Sequence, residues 1–395
     1  MRNTTRAIAA AIIVATAPRL LLAQTPPAPA AAAPAAGAAP AAPAAPAVPG
    51  LSDLLTGWGL TTSGEFAASY YHSNGYPGAT WRGFDEDHDS FQLDEAGLQI
   101  GYQPKTGVGG FVDVIAGTDA QILSLNEGGS GAAVDVRQAY LQYATGPLTI
   151  IAGKYVTMAG AEVINPAQNT NFSRSLLFWE LEPLDHTGVR ATFAATDTVS
   201  ISVGVNNGWN YTDLSTSGSK TGEFNATWTP NKIFSIAVTG YLGKDYVLDN
   251  GQELSLIDFV GTYNVTSALT LILNADFKQT SGNGVAGDDA TTHINGFAAY
   301  ANYGISDSMR VSLRGEYVDY VGAGHALEGT LTFGYTPVKN LEVRAEVRYD
   351  KLSDGFVNAL PADAYVRANP GAEDQIDANN NSEFALQAVY KFSLP

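Results

Sequence analysis

The sequence lacks cysteine altogether, and only 15% of its 395 residues are charged. Without cysteine, redox chemistry at thiols is excluded. The low charge stands beside 41 Gly, 19 Tyr and 16 Phe, a mixture that suits strands and turns and fits long helices poorly. Beyond the N-terminus, no apolar run approaches the roughly 20 residues with which a helix spans a bilayer. These absences favour an all-β chain.

Basic residues are also scarce, since 21 Lys and Arg stand against 39 Asp and Glu and give a net charge of −18. A chain this acidic repels phosphate backbones, so nucleic acid is not an expected partner. Histidines are few and scattered without a close pair, which predicts neither a metal centre nor a cofactor. They are His72, His88, His186, His293 and His325.

One acidic stretch, FDEDHDS at residues 84–90, needs separate treatment. It places Asp85, Asp87 and Asp89 at alternate positions, but an EF-hand counted from Asp85 would need Gly and Glu where Ser90 and Ala96 stand. A solvated acidic loop is the default interpretation. A looser divalent-ion site remains its alternative.

The N-terminal region divides into two segments that precede any folded domain. Residues 1–23 carry two early arginines and an apolar stretch, which predicts a secretory signal peptide cut after Ala23. The apolar stretch is too short to favour a transmembrane anchor. Residues 24–50 are almost only Ala and Pro and predict a semi-rigid periplasmic spacer.

From residue 51 to 395 the sequence repeats short segments in which apolar and polar residues alternate. In LEVRAEVRYD, residues 341–350, the apolar side chains would share one face of a strand and the charged ones the other. Sixteen such segments predict a transmembrane antiparallel β-barrel with a lipid-facing wall and a polar lumen. They lie near 57–71, 90–102, 107–117, 134–144, 148–155, 186–195, 198–207, 221–229, 233–246, 253–265, 269–279, 292–304, 309–320, 325–335, 341–350 and 382–392. The segment at 134–143 alternates poorly.

The connections between these segments are unequal. Seven are tight and polar, and they alternate with connections that are mostly longer, the asymmetry of periplasmic turns and extracellular loops. The tight ones read QPKTG, TGP, TDT, TPNK, TSA, ISDS and TPVKN. A soluble β-sandwich gives no reason for this alternation.

The third long connection, residues 156–185, combines the apolar run 176–179 with several charges. An apolar run in a solvated loop is unexpected, so the loop is predicted to fold into the lumen and narrow it. Its candidate constriction residues are Glu162, Arg174, Glu180, Glu182 and Asp185. For Arg174, a role as an anchor of the loop is favoured over a role as a solute ligand.

Residues 153–192 resemble the OmpL-like β-barrel porins of Gram-negative outer membranes. The pieces that carry the resemblance are GAEVI at 160–164, NFSRS at 171–175 and HTGVR at 186–190, and a looser likeness extends over residues 51–395. The resemblance implies a pore-forming barrel. We therefore expect a porin for passive diffusion of small hydrophilic solutes or ions, with outer-membrane lipid and lipopolysaccharide as its surroundings and a homo-oligomer as one possible state.

Charged residues on the lumen wall are expected to set the ion preference of such a pore. The candidates are Arg190, Arg310, Arg314, Glu316, Glu342, Arg344, Glu346 and Arg348. Two interpretations are open. In one, the basic wall faces the acidic loop across the constriction and creates a transverse field. In the other, Arg344 and Arg348 pair with Glu342, Glu346 and Glu316.

Three other functions are alternatives to the general porin. A hydrolase would use His186 with Ser173 or Ser175, but no nucleophile elbow is present, and no catalytic residue is predicted. An adhesive barrel would bind partners through its long loops, including the last one. A selective sugar or anion channel would use the same fold with a more specific lumen.

Overall fold

The computed structural model describes residues 55–73, 83–85, 89–127, 129–210, 220–245, 252–281, 291–353 and 380–394. The predicted signal peptide and the Ala/Pro-rich spacer lie outside these residues and stay predictions. Residues 354–379, which make up most of the last loop, also lie outside the described residues.

Sixteen antiparallel strands form one closed barrel, in which each strand pairs with its neighbours in sequence and β1 pairs with β16. The strands are Thr61–Ser73 (β1), Ser90–Tyr102 (β2), Gly107–Ala116 (β3), Val134–Thr145 (β4), Leu148–Val156 (β5), Asp185–Ala194 (β6), Val199–Asn206 (β7), Thr221–Trp228 (β8), Phe234–Asp245 (β9), Gln252–Asn264 (β10), Leu269–Ser281 (β11), Thr291–Ser306 (β12), Met309–Tyr320 (β13), Gly324–Val338 (β14), Leu341–Leu352 (β15) and Asn380–Leu394 (β16). Each predicted segment overlaps one of them. The predicted antiparallel β-barrel and its strand number are confirmed.

The seven predicted tight connections all occur as short turns between consecutive strands, and together they form one rim of the barrel. The opposite rim carries the other eight connections. In the described residues, two of these eight connections contain a short helix, Thr118–Asn126 (α1) and Leu176–Glu180 (α2), and the sequence pattern predicted neither of them. Both are too short to show a helical period against their surroundings.

Burial along the strands is the reverse of that in a soluble protein. In β15, Arg344, Glu346 and Arg348 are buried, whereas Val343 and Val347 are 40% and 49% exposed. The charged face therefore lies on the inside of the barrel and the apolar face on the outside. This is the arrangement that a lipid environment requires, since the wall must be apolar where it meets hydrocarbon.

Helices do not provide a membrane crossing in the described part of the chain, where none is long and apolar enough for it.

Among the described residues, the largest buried apolar cluster lies between α2 with its following residue and the inner face of strands β12 to β15. Leu176, Leu177 and Leu181 contribute the helical side. The strand side is made by Ile294, Ala298, Tyr300, Val318, Tyr320, Ala326 and Leu352. Apolar side chains on an otherwise polar inner face thus have a partner, and they position the connection that carries α2.

Candidate functional site

The connection between β5 and β6, residues 157–184, is here called L3. Its main chain and side chains form hydrogen bonds with residues of β9, β10, β11, β13, β14, β15 and β16. The partner residues on β9, β10, β11, β13, β14 and β15 are buried, whereas Lys391 of β16 is exposed. L3 is therefore bonded to strands that are far from β5 and β6 in the order around the barrel.

Arg314 of β13 is the centre of the contacts between L3 and the wall. Its Nη1 donates to Oε1 of Glu162 at 2.7 Å and to the carbonyl of Ser173 at 2.8 Å. Its Nε lies 3.1 Å from Oε1 of Glu316 and 3.3 Å from Oε2 of Glu328. Glu162 of the loop and Arg314 of the wall are therefore in direct contact. This pair does not face across an opening, as the transverse-field interpretation would require.

Two residues of β15 hold the middle of L3. Glu346 accepts hydrogen bonds from the backbone N–H groups of Phe172 and Ser173 at 2.7 and 2.9 Å. Nη1 of Arg344 donates to the carbonyl of Pro166 at 3.0 Å. A carboxylate and a guanidinium each satisfy backbone groups that would otherwise be buried without a partner.

Neighbouring charges on the wall also pair with one another. Glu342 lies 2.6 Å from Nε of Arg344 and 2.7 Å from Nε of Arg310. Arg348 pairs with Asp350 at 2.8 Å rather than with the glutamates predicted for it. Arg344 thus pairs with Glu342, one of the glutamates named in the pairing interpretation. Arg348 is paired as well, but with Asp350, which that interpretation did not name.

Arg174 lies within L3 and bonds the loop to itself. Its guanidinium donates to the carbonyls of Val163, Ile164 and Phe172 at 3.1, 2.5 and 2.9 Å. Its own carbonyl accepts from Arg348 at 2.6 Å. Because its donors point at backbone carbonyls, the side chain has the contacts of an anchor.

The helix α2 is fixed at its start and along one face. The hydroxyl of Ser175 caps the helix by accepting from the N–H of Phe178 at 3.0 Å. On β12, Gly296 leaves the room that Leu177 occupies, since a Cβ there would lie 2.8 Å from Cγ of Leu177. The NFSRS stretch thus ends in a cap, and the apolar run after it packs on the wall.

Glu180 lies at the end of α2. Tyr320 donates to its Oε2 at 2.6 Å, and Nζ of Lys278 donates to its carbonyl at 2.9 Å. Burial raises the pKa of Glu180 to about 7, although the Tyr320 hydrogen bond and the Lys278 charge both lower it. This carboxyl therefore changes charge near neutral pH.

The remaining predicted residues lie apart from the Arg314 network. Asp185 is buried at the start of β6, 3.5 Å from Nζ of Lys154. Arg190 is buried on β6 and pairs with Glu223 of β8 at 2.8 Å. Glu182 is buried on the second limb of L3, which is the part of L3 that follows α2. The predicted constriction residues thus have separate partners and do not meet in one ring.

A second charged cluster lies on β1 to β4 and was missed by the sequence analysis. Arg137 lies 2.8 Å from Asp113, 2.7 Å from Glu95 and 3.2 Å from Glu65, and all four side chains are almost completely buried. Three carboxylates around one guanidinium leave a formal charge of −2. Asp113 was the available signal, because it interrupts the otherwise apolar stretch FVDVIA at residues 111–116.

Two β-bulges explain why this cluster escaped the alternation test. The pairing of β1 with β2 skips Asp94, so that Asp94 and Glu95 are both buried. The pairing of β3 with β4 skips Arg137. An extra residue in one strand breaks the period of two, which accounts for the poor alternation at residues 134–143.

Two cavities, each of about 240 Å³, lie between L3 and the opposite part of the wall. The first has Asp113, Arg137 and Gln138 among its lining residues, and the second reaches Asn340 in the last short turn. Both are lined by Ser63, Gln99, Asn165 and Gln168. The two cavities are therefore adjacent and follow β1 and β2 toward the rim of short turns.

Residues 59–392 match the family described as Putative beta-barrel porin-2, OmpL-like. The chain belongs to this family. The match covers all sixteen strands except the last two residues of β16, and it confirms both the resemblance and the expected outer-membrane location. No match is found among curated protein sequences.

Solved structures of outer-membrane channels are similar to this porin in fold. Over 84% of this chain, it is similar to OmpT of Vibrio cholerae in its trimer form, with 12% identity, 99% of that chain covered and a TM-score of 0.56. The outer membrane channel DcaP of Acinetobacter baumannii has 16% identity, with 84% of this chain and 96% of that chain covered and a TM-score of 0.55. An anion-selective porin from Comamonas acidovorans has 10% identity, with 84% and 99% covered and a TM-score of 0.56. At these identities the likeness concerns the fold alone.

The residues considered for a hydrolase have other contacts in this porin. The hydroxyl of Ser173 accepts from Arg314 at 3.0 Å, and the other candidate serine caps α2. The ring of His186 stacks on Tyr241 at 4.9 Å, and its Nδ1 lies 3.1 Å from the carbonyl of Gly208. The family and its structural neighbours are channels. For the acidic stretch 84–90, residues 86–88 lie outside the described residues, so its two interpretations stay open.

Proposed function

We propose that this porin allows passive diffusion of small hydrophilic solutes and ions through a water-filled lumen that L3 constricts. Sixteen strands enclose more space than ordinary wall side chains fill, which supports a channel. The observation that carries the constriction is the set of hydrogen bonds from L3 to buried residues of β9, β10, β11, β13, β14 and β15, with Arg314 at its centre. A loop attached along that side leaves the opposite side for solutes.

The proposed solute path follows the two cavities beside L3. Its walls carry the Arg137 cluster, in which acids outnumber the base by three to one. A site of net negative charge lowers the barrier for cations and raises it for anions. We therefore propose a preference for cations, with polar rather than apolar solutes as the neutral substrates.

Single-channel conductance tests the path. Gln168 is exposed on L3 and lines both cavities, so Gln168→Trp should lower the conductance several-fold in a planar bilayer. Thr106→Trp is the matched control, because it adds the same indole at an exposed residue of a short turn outside both cavities. Equal conductance of the Gln168 variant and the wild type would contradict the proposed path.

The reversal potential under a KCl gradient tests the ion preference. We expect the sign of a cation-selective channel, and a smaller potential in Asp113→Asn, because that change removes one of the three acids. A wild-type potential of the opposite sign would favour the anion channel instead. A folded barrel without conductance would favour the adhesive alternative.

The same proposal includes the surroundings of the channel. The exposed apolar face of the strands fits outer-membrane lipid, and lipopolysaccharide would meet the rim of long loops. A homo-oligomer is proposed because one structural neighbour has a trimer form. We propose no enzymatic activity and no cofactor, and assays of phospholipid turnover with the purified protein would test that.

A further inference from the structure

Three carboxylates from three different segments meet on the inner wall. They belong to Glu182 on the second limb of L3, Asp258 on β10 and Asp276 on β11. One oxygen of each lies within 4.8 Å of the others, and the three side chains are at most 2% exposed. No sequence motif joins these residues, because they lie on separate segments.

No basic side chain of the described residues pairs with the cluster. None of the ion pairs among the described residues includes any of its three members. The backbone N–H of Gly160 donates to Asp258 at 3.2 Å, and Nδ2 of Asn274 donates to Asp258 and Asp276 at 2.8 and 3.0 Å. These donors are all neutral and bring no positive charge to the cluster.

Two buried oxygen atoms of the cluster have no hydrogen-bond partner among the described residues. They are Oε2 of Glu182 and Oδ2 of Asp276. A buried carboxylate oxygen without a donor is costly, and a like charge beside it adds to that cost. A bound cation would satisfy both oxygen atoms and offset the charge.

The position of Gly160 supports a site built for this purpose. Its φ of +87° is one that other residues rarely adopt, and a Cβ on it would overlap the carboxylate of Glu182. Glycine therefore allows the first limb of L3, which is the part of L3 before α2, to lie directly against the cluster. Both limbs of L3 meet β10 and β11 at this point.

We propose that Glu182, Asp258 and Asp276 bind one Ca²⁺ ion, which attaches L3 to β10 and β11. The donor atoms are all carboxylate oxygens, which hard cations prefer. Oxygen atoms bound to Ca²⁺ at about 2.3–2.6 Å lie at most about 5 Å apart, which accommodates the observed separation. Mg²⁺ should bind more weakly, because it gives up its water ligands reluctantly.

Isothermal titration of the folded protein in detergent free of lipopolysaccharide, after removal of metal with EDTA, tests this proposal. We expect one Ca²⁺ per chain and at least a tenfold loss of affinity in Asp276→Asn and in Glu182→Gln. Asp307→Asn, at an exposed residue in a short turn, should leave the affinity unchanged. Far-UV circular dichroism of each variant checks that the barrel is folded.

The proposal is overturned if the folded wild type shows no saturable binding, or if both cluster variants bind Ca²⁺ as the wild type does. In those cases the three carboxyl groups share protons instead. Tighter binding of Mg²⁺ than of Ca²⁺ would overturn the choice of ion. The measurement needs no conductance, so its outcome is independent of the proposed channel function.

Discussion

Replacing Arg314 should destabilise the protein far more than replacing Arg310, although both arginines lie on β13. The side chain of Arg314 is fully buried and faces Glu162, Glu316 and Glu328. Arg314→Gln leaves these three carboxylates with little compensation. Removing one partner from a buried ion pair costs about 3–5 kcal/mol, which is two to four powers of ten in the folding equilibrium.

Arg310→Gln is the matched control. The Arg310 and Glu342 side chains are 21% and 18% exposed, so water screens the pair. A pair near solvent contributes about 0–1 kcal/mol. The same substitution, four residues away, should therefore have a much smaller effect.

Urea unfolding of each variant in detergent, followed by tryptophan fluorescence, measures both free energies. Limited proteolysis within L3 adds a local readout, because release of the loop should expose it before the barrel unfolds. The double variant Arg314→Gln/Glu162→Gln should be more stable than the sum of its single changes, by about 0.5–3 kcal/mol. Equal costs for Arg314→Gln and Arg310→Gln would refute the assignment of Arg314 as the main attachment of L3.

Three further predictions concern α2 and its contacts. Leu177→Ala should lower the free energy of unfolding in urea by about 2–5 kcal/mol, because Leu177 is completely buried. Leu313 is half-exposed on the outer face of the barrel, so Leu313→Ala should leave the proteolytic cleavage of L3 unchanged. Gly296→Val should increase proteolysis of L3, because the added methyl groups would occupy the space of Leu177; unchanged cleavage would argue against that contact. The pKa of Glu180 is raised from its usual value of 4.5 to about 7, so its protonated form stabilises the fold fully below pH 4.5, and this contribution is lost as the pH rises through 7. Unfolding free energies measured from pH 4 to 8 should therefore show a wild-type decline that is reduced in Glu180→Gln, and identical pH profiles would contradict the assignment.

The barrel itself could be predicted from local patterns. Alternation at LEVRAEVRYD separates a charged face from an apolar one, and the structure buries the charged face. Tight turns such as TDT and TSA mark the ends of strands, and counting the alternating segments yields the strand number. These features have short range along the chain, so a single sequence displays them directly.

The features that the alternation pattern did not predict also have a local cause. Bulges at Asp94 and Arg137 shift the alternation by one residue, so that these strands look irregular in the sequence. The buried charge cluster that they carry is therefore not visible as a polar face. The two short helices likewise leave too little periodicity to detect. In each case the signal is shorter than the window needed to recognise it.

The sequence alone determined that this chain forms a sixteen-stranded barrel with a polar inside, a long third loop and a porin-like signature. Only the tertiary structure decided which charges meet. Arg314 reaches Glu162 across 152 positions of the sequence, and the carboxylates of Glu182, Asp258 and Asp276 come from one loop and two strands. The reason is that side-chain alternation fixes the face on which a residue lies. The closure of the barrel and the path of L3 then fix what stands opposite it.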